Sequence, residues 1–322
     1  MNKLIIQIPC HNEAPTLGLT LKDLPRKVDG FDRVEWLIID DGSSDDTVAV
    51  ARENGVDHII SFNKNHGLAR AFMAGIEASL DLGADVIVNT DADNQYNAQD
   101  IPLLVKPILD NKADTVIGTR PINSIEHFSV LKKFLQKFGS WVVKIVSKTT
   151  VTDAPSGFRA ISRDAAMRLN VFNTYTYTLE TIIQAGQKDM FIVSVPIRTN
   201  KDLRPSRLVK GIFSYVKRSI FTIVRIFVVY KPFRFFLSIG LIFFAVGFLL
   251  ALRYLIFLLT GERGAHIQSL ILASILIGMG FQTILMAFLS DLMAVNRRLI
   301  EDVQYRFKKM KYDHKTDQVE KK

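Results

Sequence analysis

The sequence predicts an α/β chain: a mostly parallel sheet with helices on both faces, then amphipathic interface helices and two membrane-crossing helices. Three observations lead there. Short apolar runs alternate with helical patterns through the first 120 residues, and two long uncharged stretches follow residue 234. The charge is divided in the same way, with 20 Lys+Arg against 24 Asp+Glu in residues 1–197 and 21 against 8 in residues 198–322. An apolar share of 48% in 322 residues excludes a disordered chain. The single cysteine, Cys10, excludes an intramolecular disulfide framework and thiolate zinc clusters, and fits a reducing compartment.

Strands are expected at LIIQI (4–8), VEWLIID (34–40), HIISF (58–62), DVIVNTD (85–91) and DTVIGTR (114–120). Helices are expected between them at 16–24, 46–54, 67–82 and 98–109, with Asn65 and Asn97 as turn or cap residues before the last two. Strands that alternate with helices in this way pair in parallel.

The uncharged run from Phe235 to Leu252 and the second from Ile267 to Ser290 each match the ~20 apolar residues that cross a hydrocarbon core. Lys231 and Arg234 precede the pair, and Arg297, Arg298, Lys308, Lys309 and Lys311 follow it. By the positive-inside rule both termini are cytoplasmic and the connector is external. The expected division is a cytoplasmic domain at 1–200, a basic amphipathic membrane-interface segment at 201–233 and a span at 234–260. A connector at 261–266, a second span at 267–291 and a cytoplasmic basic tail at 292–322 complete it. From Arg198 to Arg234 there are ten basic residues and one acidic residue, with apolar residues at helical spacing, as suits a helix lying among anionic headgroups. From Lys308 the tail is polar enough to be disordered. The N-terminus has no signal-peptide pattern, and no nucleic-acid partner is expected, since basic and stacking aromatic residues do not interleave outside the apolar segments.

In open sheets ligands sit at the carboxyl ends of the strands. Three carboxylate-bearing segments fall there: Pro9-Cys10-His11-Asn12-Glu13, Asp40-Asp41-Gly42-Ser43-Ser44-Asp45 and Asp91-Ala92-Asp93-Asn94-Gln95-Tyr96. Each is also ordinary turn chemistry when taken singly. Converging on one edge they would repel one another, and a hard divalent cation with a bound phosphate would offset that. Neither G-x-G-x-x-G after the first strand nor G-x-x-x-x-G-K-[ST] is present, so a dinucleotide oxidoreductase and a P-loop kinase are not supported.

With GTR at Gly118–Arg120 and SGFRA at Ser156–Ala160, these segments resemble glycosyltransferase family 2, over roughly residues 1–234. Within it they are most similar to the branch of dolichyl-phosphate mannose synthases and bacterial polyprenyl-phosphate glycosyltransferases with two C-terminal membrane helices. The resemblance implies a GT-A type, Rossmann-like catalytic domain. It implies that Pro9, His11 and Glu13, with Asp40, Asp41, Asp91, Ala92 and Asp93, bind a nucleotide-sugar, although the family usually has Tyr where His11 stands. It assigns Asp91, Asp93 and Gln95 to Mg²⁺ or Mn²⁺. The acceptor phosphate falls to Arg120, Lys132 and Lys137, where relatives usually carry Arg at Lys132 and Ser at Gln136. Asp91, Asp93, Arg120 and Lys132 are then the catalytic set. Asp153, Ser156, Gly157 and Arg159 shape the site, and side chains near Arg120, Asp153 and 175–180 select the sugar.

The implied activity is that of an inverting, metal-dependent hexosyltransferase acting on polyprenyl (undecaprenyl or dolichyl) phosphate at the cytoplasmic face of the inner membrane, with a UDP-sugar favoured and GDP-mannose the other donor. A lipid phosphate is already an anion and needs no general base. Two alternatives stay open: a neutral lipid or glycan acceptor, and a catalytically silent nucleotide-binding scaffold. A thin two-span anchor predicts a small homo-oligomer, with a tetramer among the candidates.

Overall fold

The first strand, β1 (Lys3–Cys10), is buried over seven of its eight residues, which is why it reads as an unbroken apolar run. The computed structural model describes residues 2–121, 147, 149, 151, 153–171, 177–200, 221, 224–225, 228–260 and 267–320. They fall into two units, Met1–Val216 with Glu301–Lys322, and Lys217–Ile300.

After β1 come α1 (Ala14–Asp23), β2 (Arg33–Asp40), α2 (Thr47–Glu53), β3 (His58–Ser61), α3 (Leu68–Asp81) and β4 (Val86–Asn89). A short 3₁₀ turn (Ala98–Asp100), α4 (Ile101–Leu109) and β5 (Thr115–Thr119) follow, then β6 (Arg159–Ser162), α5 (Arg163–Arg168), α6 (Thr178–Gln187) and β7 (Ile192–Pro196). The seven strands lie in the order β3-β2-β1-β4-β6-β5-β7. All neighbours are parallel except β6, which runs antiparallel to both β4 and β5.

The five expected strands are present. The other two, β6 and β7, stand outside the expected set, although the β-branched run Ile192-Val193-Ser194-Val195 of β7 carries a strand signal. β6 is four residues long and begins and ends on Arg159 and Ser162, so only its neighbours make it a strand. β7 lies at the sheet edge, paired with β5, and ends on Pro196, which has no N–H to donate. Asn97 caps the 3₁₀ turn by accepting from Gln99 N at 3.0 Å. Asn65 does not cap α3: the helix starts from Gly67, whose φ of 95° suits glycine.

Alternate strand residues feed two cores. Leu4, Ile6, Ile8, Ile38, Val86 and Val88 meet α1 and α4 on one face, through Leu17, Leu21, Ile101 and Leu104. On the other face Ile5, Leu37, Ile39, Ile87 and Ile161 meet Phe72 and Ile76 of α3 and the alanines of α5. At about 1.5–3 kcal/mol for each fully buried large side chain, these two layers hold the strand ends in register.

The last two helices are α7 (Pro232–Leu259) and α8 (Ile267–Glu320), both long and apolar enough to cross a bilayer. Glycine lets their backbones touch. A Cβ on Gly280 would lie 2.7 Å from Phe244 N, and one on Gly247 would lie 2.9 Å from Ile277 N. Ala273, Gly280, Ala287 and Ala294 recur every seven residues as the buried stripe of α8, while most of the large apolar side chains of both helices are exposed.

α8 does not stop near residue 291. It continues to Glu320, so the stretch from Lys308 is helical, not disordered. Tertiary packing overrides its polar composition: Tyr305 and Tyr312, seven residues apart, reach the core on the α3 face. Tyr305 OH donates to Asp164 at 2.6 Å, Arg163 Nη2 donates to the Tyr312 carbonyl at 3.2 Å, and Lys311 pairs with Asp81 at 3.0 Å.

Candidate active site

β2 and β3 lie on one side of β1 and β4 on the other, so the strand order reverses beside β1. At such a switch point the carboxyl ends of neighbouring strands splay their loops apart and leave a crevice. The loops after β1, β2 and β4 border it.

On the β1–β2 side the acidic residues are largely saturated by backbone donors. The Asp41 carboxylate, 2% exposed, accepts from His66 N at 2.7 Å and Gly67 N at 2.8 Å. Asp40 Oδ1 accepts from Ser43 N at 2.9 Å. Burial works to raise the Asp45 carboxyl, but hydrogen bonds from Thr47 and from Ala14 N hold it below the usual range. Asn12, at φ 56°, accepts from Ser44 N at 2.8 Å. Gly42 is required where it stands, because at φ 67° a Cβ would meet the Lys64 carbonyl carbon at 2.4 Å. His11 Nδ1–H donates to the Asp41 carbonyl at 2.9 Å, and Glu13 accepts from Thr16 Oγ1 at 3.1 Å. Pro9 is buried at the end of β1, beside Ile39.

The loop after β4 is pinned from outside and leaves its two carboxylates close enough to repel. Thr20 Oγ1 donates to the Ala92 carbonyl at 2.9 Å, and Asn94 Nδ2, at φ 55°, donates to Asp23 at 2.9 Å. Asn200 N donates to the Gln95 carbonyl at 2.9 Å, next to the ion pair of Arg198 with buried Asp100. Asp93 Oδ1 accepts from Gln95 N at 3.1 Å. Burial, and after it the Asp93 carboxylate, push the Asp91 carboxyl up to about 7, against the pull of Arg120. The two carboxylates, Asp91 and Asp93, repel, and a carboxylate pair of that kind fits a hard divalent cation; Gln95 follows on the same loop. Among the described residues no group of three or more His, Cys, Asp and Glu could hold a metal alone.

Gly157 forms the wall behind Asp91. A Cβ there would lie 3.0 Å from Asp91 Oδ1 and 3.0 Å from Tyr177 OH. Arg120 borders the same space, but its fork is occupied: Nε and Nη2 donate to Asp153 at 2.8 and 3.0 Å. Burial works against the Arg120 charge, and the Asp153 hydrogen bonds more than offset it, so its pKa is raised. Arg159 is buried and donates to the carbonyls of Ser156, Ala154 and Thr178 and to Thr181 Oγ1, at 2.6–2.9 Å. It organises the segment that carries Asp153, Ser156 and Gly157. Burial among these neutral acceptors lowers its pKa.

The structure therefore brings Asp91, Asp93, Gln95, Arg120, Asp153 and Gly157 to one end of β4–β6–β5. Lys132, Gln136, Lys137 and Tyr175 lie outside the described residues. Sequence reasoning missed Asn89, which reaches Gly157, and the Arg198–Asp100 pair that braces the loop; Tyr177, within the 175–180 stretch expected to select the sugar, meets Asn89 and Gly157. A signal existed for Asn89: it closes the apolar run VIVN and pairs in register with Gln7, the polar residue inside LIIQI.

Residues 5–169 match the family described as glycosyl transferase family 2, and the chain belongs to that family. It is similar to the undecaprenyl-phosphate mannosyltransferase of Micrococcus luteus, 28% identical over 221 residues that cover 65% of this chain and 89% of that one. The UDP-N-acetylglucosamine–dolichyl-phosphate N-acetylglucosaminyltransferase of Methanococcus voltae is 29% identical over 220 residues, 62% of this chain and 86% of that one. Among solved structures, glucosyl-3-phosphoglycerate synthase from Mycobacterium tuberculosis, in complex with Mn²⁺, UDP and glucosyl-3-phosphoglycerate, superposes with a TM-score of 0.54 at 18% identity. The match covers 70% of this chain and 79% of that one. At that identity the likeness establishes the fold, and the GT-A type sheet expected from the motifs is borne out.

Proposed function

We propose that this chain is an inverting glycosyltransferase that moves one sugar from a nucleotide-sugar, a UDP-sugar first, to a polyprenyl phosphate at the cytoplasmic face of the membrane. The observation that carries the reading is the presence, on one family 2 chain, of an acidic pair at the switch point and two bilayer-length helices. That combination suits a water-borne donor and a lipid-borne acceptor, and the names of the Micrococcus and Methanococcus relatives point the same way. The basic flanks of α7 and α8 favour cytoplasmic termini.

In the proposed step a phosphate oxygen of the acceptor attacks the anomeric carbon on the face opposite the leaving group. The bond from that carbon to the donor diphosphate breaks, and its electron pair leaves with the nucleoside diphosphate. The acceptor is an anion throughout, so no proton needs to be removed. Asp91, Asp93 and Gln95 would hold Mg²⁺ or Mn²⁺, which when bound stabilises the charge developing on the leaving diphosphate. Arg120 meets the acceptor phosphate through Nη1, which takes no part in its pair with Asp153. Pro9, His11, Glu13, Asp40 and Asp41 border the nucleoside.

The test is transfer by the purified full chain from labelled UDP-, GDP- and dTDP-sugars to undecaprenyl phosphate, with Mn²⁺ or Mg²⁺, beside Asp93→Asn. An acid-labile labelled lipid is expected from the wild type, with roughly a thousandfold loss in the variant, as several kcal/mol of charge stabilisation implies. Bound nucleotide without any lipid product would sink the reading.

A further inference from the structure

A buried polar chain backs the acidic loop. Gln7 and Asn89 are fully buried and lie side by side in β1 and β4. Two amides inside an apolar sheet are costly unless they are bonded. Asn89 is bonded on both sides: Oδ1 accepts from Gln7 Nε2 at 2.9 Å, while Nδ2 donates to the Gly157 carbonyl and to Tyr177 OH, both at 2.8 Å. The Tyr177 ring lies flat on Phe72, with centroids 3.8 Å apart and planes within 4°. From the other side Tyr96 OH accepts from Gly157 N at 3.0 Å, and its ring stacks on Phe158.

Both polar groups of Gly157 are thus held by side chains from separate elements. Its Cα faces the Asp91 carboxylate so closely that a Cβ would sit 3.0 and 3.1 Å from the two oxygens. Hydrophobic residues at positions 7 and 89 would fill the sheet without aiming anything at Gly157. The Asn89 amide is aimed there, held from behind by Gln7, and Gly157 is what Asp91 rests against.

We propose that Asn89 and Tyr177 are positioning residues for Asp91: they fix the Gly157 backbone as the wall behind its carboxylate and so set where the carboxylate oxygens meet a divalent cation. This rests on the reading of Asp91 and Asp93 as cation ligands. Neither Asn89 nor Tyr177 touches the reacting groups.

The experiment is Mn²⁺ binding to the purified full chain in detergent, read from the electron paramagnetic resonance signal of free Mn²⁺, with UDP and GDP in parallel. Tyr177→Phe keeps the ring on Phe72 and removes the hydroxyl; it should weaken Mn²⁺ about tenfold and raise the Mn²⁺ concentration needed for half-maximal transfer, with kcat recovered at saturating metal. Gly157→Ala drives a methyl into Asp91 and should weaken Mn²⁺ by about a hundredfold. Wild-type Mn²⁺ affinity in folded Tyr177→Phe overturns the positioning role and leaves the metal reading intact. A wild type that binds nucleotide but never depletes the free Mn²⁺ signal overturns the metal reading, and this one with it. Should Gly157→Ala not fold, Tyr177→Phe decides alone.

Discussion

The loop after β2 carries four aspartates in eight residues (DDGSSDDT) and the loop after β4 carries two in six (DADNQY), yet the poorer loop is the one with chemical tension. In the first, Asp40, Asp41 and Asp45 accept from backbone N–H groups and act as struts for the turn. In the second, Asp91 lies against Gly157 with Asp93 as its charged neighbour, and its carboxyl rises to about 7. The difference lies in the supply of donors. A carboxylate surrounded by turn N–H groups is a structural element, whereas Asp91 and Asp93 keep a mutual repulsion that a cation would offset.

Outside both loops, the largest loss of stability is expected at Asp153, the partner of Arg120. Asp153→Ala leaves Arg120 mostly buried without its partner and should cost about 3–5 kcal/mol, seen as a large loss of thermal stability in detergent. Asp153→Asn, which keeps an acceptor but not the charge, should cost clearly less; equal losses would mean that the lost charge, common to both variants, carries the whole cost. On the loop after β2, Asp41→Ala should cost about 2 kcal/mol by freeing His66 N and Gly67 N, with melting points as the readout. An Asp41→Ala protein as stable as the wild type would remove the strut reading.

Asp91→Asn should act in the opposite sense in metal-free protein. A carboxyl whose folded pKa is raised holds its proton more tightly folded than unfolded. Its ionisation therefore lowers stability as pH rises from the ordinary value near 3.9 to about 7, and the penalty is complete above that. The variant cannot ionise and should melt about 2–4 °C higher than the wild type at pH 8, for a gain of ~1 kcal/mol, with little difference at pH 4. A wild-type advantage at pH 8 would contradict the assignment. The smallest effect is expected at Lys106→Ala, which loses only the exposed pair with Asp110 and should stay within about 0.5 kcal/mol of the wild type.

Much of the architecture was legible because it is local. LIIQI and VEWLIID are apolar on both faces, and only a central parallel strand buries both. The motif loops were legible as polar interruptions at the ends of such runs. β6 was not, because four residues with Arg159 at the head become a strand only between β4 and β5. The end of α8 was misread for the same reason: its composition is that of a solvated tail, and its order comes from Tyr305 and Tyr312 meeting α5 and the α3 face.

By itself, then, the sequence determined the α/β class, the first five strands, the two bilayer-length helices and the residues that crowd the carboxyl edge, since hydrophobic period, run length and turn chemistry act over a few neighbouring residues. Tertiary structure alone decided which carboxylates are satisfied and which are left in tension, that the Arg120 fork closes on Asp153, and that Asn89 reaches Gly157 across 68 positions of chain. Hydrogen bonds and charge pairs between distant segments depend on strand order and register, and no local pattern encodes them.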